Sequence, residues 1–173
     1  MTSIDKNALT EAYQQFLAEI VNLVQNHRVV AVQSVQAVSN QLYWNIGELI
    51  LKKQQEHGWG KSIVEQLSND LNHHIGEGVS WSPRNLWFMR QLVSEYSNLN
   101  QLGSENKKVK QPASDLEKVK QLVSEVPWWH NILILQKVKD SKARIFYLQS
   151  TIKNKYSRSK FYFTVGQLSG IQV

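Results

Sequence analysis

The sequence predicts an all-α protein. Apolar residues recur at helical spacing along most of the chain, Ser, Pro and Gly signals mark where those runs start and stop, and a Gly-broken turn separates two of them near the middle. At 173 residues, 42% hydrophobic and 20% charged, the chain is long enough for one core or two small subdomains.

A first amphipathic segment covers residues 7–25, with Leu9, Ala12, Tyr13, Phe16, Leu17, Ile20, Val21 and Val24 at helical spacing. A second, over 28–56, sets Val32, Val35, Val38, Leu42, Ile46, Leu49 and Ile50 along one side, widened by Tyr43 and Trp44, and stops at His57-Gly58. Two such neighbours predict an antiparallel pair or a dimerising arm.

A third helix is expected over 61–74, burying Ile63, Val64, Leu67, Leu71 and Ile75, before Gly76-Glu77-Gly78 turns the chain. The fourth follows Trp81-Ser82-Pro83-Arg84-Asn85-Leu86-Trp87. Ser82 suits an N-cap, and Pro83 suits the first helical position, where its missing N–H costs nothing. Leu86, Phe88 or Met89, Leu92, Val93 and Tyr96 would be buried. Residues 61–97 thus read as a helix-turn-helix-like unit, the alternative being a helical hairpin in an all-α core.

Residues 98–114 turn polar, with the Lys107-Lys108-Val109-Lys110 cluster, and read as a linker or insertion. A short helix carrying Leu116, Val119, Leu122 and Val123 stops before Pro127. Trp128-Trp129-His130 then opens an apolar run that continues into Val138, which favours a helix over a strand. A basic helix follows over 141–156, and Tyr156-Ser157-Arg158-Ser159-Lys160-Phe161 echoes the Ser82 segment. The predicted organisation is a helical unit over 1–97, a linker over 98–114 and a basic helical unit over 115–173, with helices to about 163, or one domain overall.

Residues 1–105 carry 7 Lys or Arg against 10 Asp or Glu, whereas 106–173 carry 13 against 4, so a net −3 faces a net +9. A basic part of this kind suggests a phosphate-backbone footprint; solubilising surface charge is the alternative. Without cysteine the chain has no disulfide, Cys-ligated zinc or thiol catalysis. The N-terminus shows no basic segment followed by an apolar run, and no window approaches a membrane span. A cytoplasmic protein that does not engage membranes is expected.

No catalytic constellation is evident. His27, His57, His73, His74 and His130 form no metal-binding spacing, Asp70 and His74 lack a third ligand, and no phosphate loop or nucleophile elbow occurs. Neither a metal nor a cofactor is expected. Of the six tryptophans, Trp44, Trp87 and Trp128 sit in apolar patterns and suit the core, while Trp59, Trp81 and Trp129 flank helix starts as staples or exposed platforms.

Five ordered motifs carry a family resemblance: Leu42-Tyr43-Trp44-Asn45-Ile46-Gly47; Gly58-Trp59-Gly60 with Leu67-Ser68-Asn69-Asp70-Leu71; Ser82-Pro83-Arg84-Asn85-Leu86-Trp87-Phe88-Met89-Arg90; Pro127-Trp128-Trp129-His130-Asn131; and Tyr156-Ser157-Arg158. Over residues 29–163 the chain resembles the N-terminal domain of the YhcG family of bacterial proteins. The resemblance implies a helical DNA-binding module that usually precedes a PD-(D/E)XK nuclease domain. Glu105-Asn106-Lys107 has the letters of the nuclease Glu-X-Lys but no flanking apolar strand, so it reads as coincidence. The nuclease activity is therefore not expected here, as in a standalone, truncated or split protein.

The resulting expectation is a non-catalytic module for duplex DNA. Arg84, Asn85 and Arg90 are candidate readers, and Lys142, Arg144, Lys153, Lys155, Arg158 and Lys160 candidate phosphate contacts. The class-level alternative is an interaction scaffold that forms a homodimer through the first two helices or holds a separately encoded nuclease or modification subunit.

Overall fold

A computed structural model describes residues 6–58, 60–76, 81–104 and 112–168. Among them the chain is all-α, with α1 (Lys6–His57), α2 (Lys61–Ile75), α3 (Pro83–Ser104), α4 (Pro112–Glu125), α5 (Trp128–Lys137), α6 (Ser141–Asn154) and α7 (Arg158–Leu168). None of these helices is long and apolar enough to cross a membrane. The chain divides into two compact units, residues 1–35 and 36–173.

The two helices expected over 7–56 are one. No Gly or Pro occurs between residues 7 and 46, so nothing in the backbone breaks the run. Near the expected boundary His27 Nδ1 meets the Leu23 carbonyl at 2.8 Å, and Ser34 Oγ donates to the Val30 carbonyl at 2.9 Å, both within the helix. α1 ends where the sequence indicates, with Gly58 at φ +66 and its N–H on the Gln54 carbonyl.

In the first unit the described apolar side chains of α1 are exposed. In the second unit the expected stripe holds in part: Trp44 and Ile50 are buried and Tyr43 and Ile46 half-buried, but Val38, Leu42 and Leu49 are exposed, and Asn40 and Gly47 are buried in their place. Gly47 explains the choice. A Cβ there would press on the Met89 carbonyl and lie 2.9 Å from Val93 Cγ2, so α1 and α3 approach as only a glycine permits.

α3 lies at the centre of this unit, burying Leu86, Met89, Leu92, Val93 and Tyr96. One core cluster joins Ile50, Val64, Leu86 and Met89; a larger one joins Trp44, Leu92, Val93 and Tyr96 to Val123, Leu133, Leu148 and Phe161. α2 buries Val64 and half-buries Ile63, Leu67 and Leu71, but Ile75 at its end is exposed. α3 continues through residues 98–104 and α4 begins at Pro112, so helix occupies both ends of the expected linker. α5 is buried from His130 to Leu135, as a short apolar helix without a polar face must be.

Side-chain amides close the end of α4. Asn40 Nδ2 lies 2.7 Å from the Val126 carbonyl, 3.2 Å from that of Val123 and 3.1 Å from that of Ser124. Asn131 Nδ2 donates to the Val123 and Val126 carbonyls, and Gln36 Nε2 to that of Glu125. These carbonyls have no partner inside the helix, and burying them unpaired would cost about 1–3 kcal/mol each.

Candidate nucleic-acid interface

Two helix starts share one local design. At α3, Ser82 Oγ accepts the Asn85 N–H at 3.3 Å and the Ser82 carbonyl accepts the Leu86 N–H at 3.0 Å. At α7, Ser157 Oγ accepts the Lys160 N–H at 3.4 Å and its carbonyl accepts the Phe161 N–H at 2.9 Å. Leu86 and Phe161, four residues after each serine, are fully buried. The sequence echo is therefore a repeated N-cap with a buried anchor.

The polar residues after Ser82 are largely turned inward. Asn85 Oδ1 accepts the Trp128 indole N–H at 2.7 Å. Trp128 also packs on Tyr43 with ring centroids 4.9 Å apart, so α1, α3 and α5 meet at this indole. Arg90 Nε donates to Gln54 Oε1 at 2.6 Å, and its guanidinium lies 5.6 Å from the Trp87 ring. Arg84 is exposed, 5.6 Å over Phe88. Over residues 83–97 only Pro83, Arg84 and Gln91 are exposed, which leaves α3 little surface for entering a groove.

Arg144, expected at a phosphate, is 5% exposed. Its Nε donates to the Val138 carbonyl at 2.7 Å and its terminal nitrogen pairs with Glu95 at 2.7 Å, tying the start of α6 to α3. Periodicity alone could not separate it from Lys142, because both sit beside apolar neighbours in a basic helix.

The other expected phosphate contacts are exposed. On α6, Lys142, Phe146, Gln149 and Lys153 follow one another along one helical face, all exposed. Lys155 follows in the left-handed region at φ +46. At α7, Arg158 stacks 4.2 Å over Trp129 and Lys160 lies 5.7 Å over Tyr156, with Tyr162 and Phe163 exposed beyond. Among the described residues Lys142, Lys153, Lys155, Arg158 and Lys160 form no ion pair, whereas Lys52, Lys53, Lys118 and Lys120 each meet a carboxylate. Beyond Glu125 the sequence holds one acidic residue, Asp140, and that one caps α6 by accepting the Ala143 N–H at 2.7 Å.

Behind this surface His130 lies edge-on to Phe161 at 4.4 Å with both ring nitrogens buried and neither in a well-formed hydrogen bond, the Ser157 backbone being the polar group that acts on the ring. Burial pushes its pKa below the ordinary 6.5, opposed by the Ser157 backbone and reinforced by Arg158. Among the described residues no three His, Asp or Glu side chains gather as a metal ion requires. Trp59, the Glu105-Asn106-Lys107 triplet and the Lys107–Lys110 cluster lie outside the described residues.

Asn40 escaped the sequence analysis because one amide in an apolar helix gives no periodic signal. The motif residues Tyr43, Trp44, Gly47, Ser82, Asn85, Trp128 and Asn131 are packing and capping groups; the exposed cations lie mostly outside the motifs. Comparison with known proteins finds no matching curated protein and no matching solved structure. It does find the DUF1016 N-terminal domain over residues 19–167, most of the chain. With the five motifs assembled in one all-α unit and that match spanning them, the chain belongs to the DUF1016 N-terminal domain family, the N-terminal domain of the YhcG proteins.

Proposed function

We propose that this chain is a non-catalytic DNA-binding module that grips the phosphate backbone of a duplex through the exposed cations of α6 and α7. The observation that carries the reading is where exposed charge collects: Lys142, Lys153, Lys155, Arg158 and Lys160 are exposed and form no ion pair among the described residues, in a stretch after Glu125 whose one acidic residue, Asp140, is used to cap α6. Unpaired cations are those that can release counterions from DNA and so gain salt-sensitive affinity. The Arg158 guanidinium lies 4.2 Å over the Trp129 ring, a contact that limits the entropy it loses on meeting a phosphate. Arg84, at the start of α3, adds a backbone contact rather than a base contact, because the helix behind it is enclosed.

A second reading is an interaction scaffold for a separately encoded nuclease or modification subunit. Exposed Phe146, Tyr162 and Phe163 favour it, since apolar side chains of this size commonly mark protein contacts. Titrating the purified chain into labelled duplex and single-stranded DNA across a salt series, with a magnesium lane, separates the two. The module reading expects salt-dependent duplex binding without cleavage. Absence of binding at low salt would leave the scaffold.

A further inference from the structure

Around α7 exposed rings alternate with exposed cations. Tyr162 is 56% exposed and Phe163 64%, and Trp129, at the start of α5, is 38% exposed. Tyr162 follows Arg158 by four residues and Phe163 follows Lys160 by three, so each ring lies beside a cation on the helix surface. The same cations reach back over two further rings, Arg158 at 4.2 Å over Trp129 and Lys160 at 5.7 Å over Tyr156. Phe161, buried against the His130 and Tyr156 rings, fixes which side of α7 is turned outward.

We infer that this surface stacks unpaired bases, so that the DNA it takes is a duplex continued by a single strand. The inference rests on the DNA-binding reading and names its ligand more closely. An intact duplex offers phosphates to Arg158 and Lys160 but keeps its base faces stacked inside the helix, leaving Tyr162 and Phe163 against charged backbone and water. A protein partner that covered those rings would also enclose both cations and would have to supply their carboxylates itself, because no Asp or Glu follows Asp140 in this chain. A strand leaving the end of a duplex meets both needs at once. Its phosphates match the cations, and every base carries a π face for a ring, whatever the sequence. The Arg158 guanidinium over Trp129 adds a further planar group of the kind on which bases stack.

Fluorescence anisotropy of labelled DNA titrated with the full chain tests this. The ligands are a blunt duplex, the same duplex with a short thymidine tail, and the same tail made abasic, which keeps every phosphate and removes every base. The thymidine tail is expected to raise affinity roughly tenfold over the blunt duplex, and the abasic tail to lose most of that gain. Tyr162→Ala combined with Phe163→Ala should abolish the difference between the two tails. Phe163→Leu, which stays apolar but has no ring, should reduce it, and unchanged helical circular dichroism shows that both variants are folded. Equal affinity for the two tails, or a thymidine preference that survives the double substitution, would overturn the inference while binding of the blunt duplex keeps the module reading intact. No binding to any of the ligands would overturn both and assign the rings to a protein partner.

Discussion

At the start of α3, the cap Ser82 is followed by Arg84, Asn85 and the buried Leu86; at the start of α7, the cap Ser157 is followed by Arg158, Lys160 and the buried Phe161. The two starts share a cap and an anchor but differ in where their polar groups go. Asn85 and, a turn later, Arg90 are consumed by Trp128 and Gln54, so α3 uses its polar chemistry to hold helices together. Arg158 and Lys160 lie over Trp129 and Tyr156 with no carboxylate in reach. The same capped start can therefore serve as a scaffold joint or as a charged outer edge, and what lies beside it decides which.

The contrast breaks most visibly at Arg144, the basic residue of α6 that behaves like those of α3. Arg144→Ala removes the pair with Glu95 and leaves the Val138 carbonyl without its donor, and is expected to cost about 3 kcal/mol of stability. Chemical denaturation measures this, and the salt slope of DNA binding should not move. Asn85→Ala leaves the part-buried indole N–H of Trp128 without this acceptor and should cost about 2 kcal/mol; a loss of unfolding free energy below about a tenth of that would mean the joint is dispensable.

Arg158→Ala, by contrast, should leave the melting temperature nearly unchanged and weaken every duplex by about 1 kcal/mol at low salt, with the salt slope lowered by roughly one. Arg84→Ala is expected to do less, reducing affinity equally for all sequences. A changed base preference in a binding-site selection would instead make α3 a reading helix.

The smallest effect concerns His130. Its pKa is depressed in the folded state by burial, so the unfolded chain takes up the proton first. Stability is then fully present above about pH 6.5 and declines as pH falls through that value toward the folded pKa. A melting series from neutral to mildly acidic pH should show this decline, and His130→Phe should reduce it.

Much of this was legible in the sequence because it depends on local chemistry. The Ser82 cap, the Pro127 boundary, the Gly58 and Gly76 stops and the buried residues of α3 follow from neighbours a few positions apart. What escaped depends on partners distant in sequence. Spacing alone groups Val38, Leu42 and Leu49 with Trp44 and Ile50, yet Gly47, by admitting Met89, turns α1 so that only the latter two are buried. The sequence reads as two segments, 7–25 and 28–56, but a helix needs a breaker to end and none lies between them. Arg144 and Lys142 look alike in sequence; only Glu95 on a separate helix distinguishes them.

The most direct test compares the salt dependence of duplex binding by the wild-type chain and by the combined variant Lys153→Ala, Lys155→Ala, Arg158→Ala, Lys160→Ala. The wild type is expected to bind at low salt, and the variant, folded and equally helical, to lose about four from the slope of log affinity against log salt. Identical slopes, or no wild-type binding at low salt, would contradict the assignment of α6 and α7 as the DNA-facing edge.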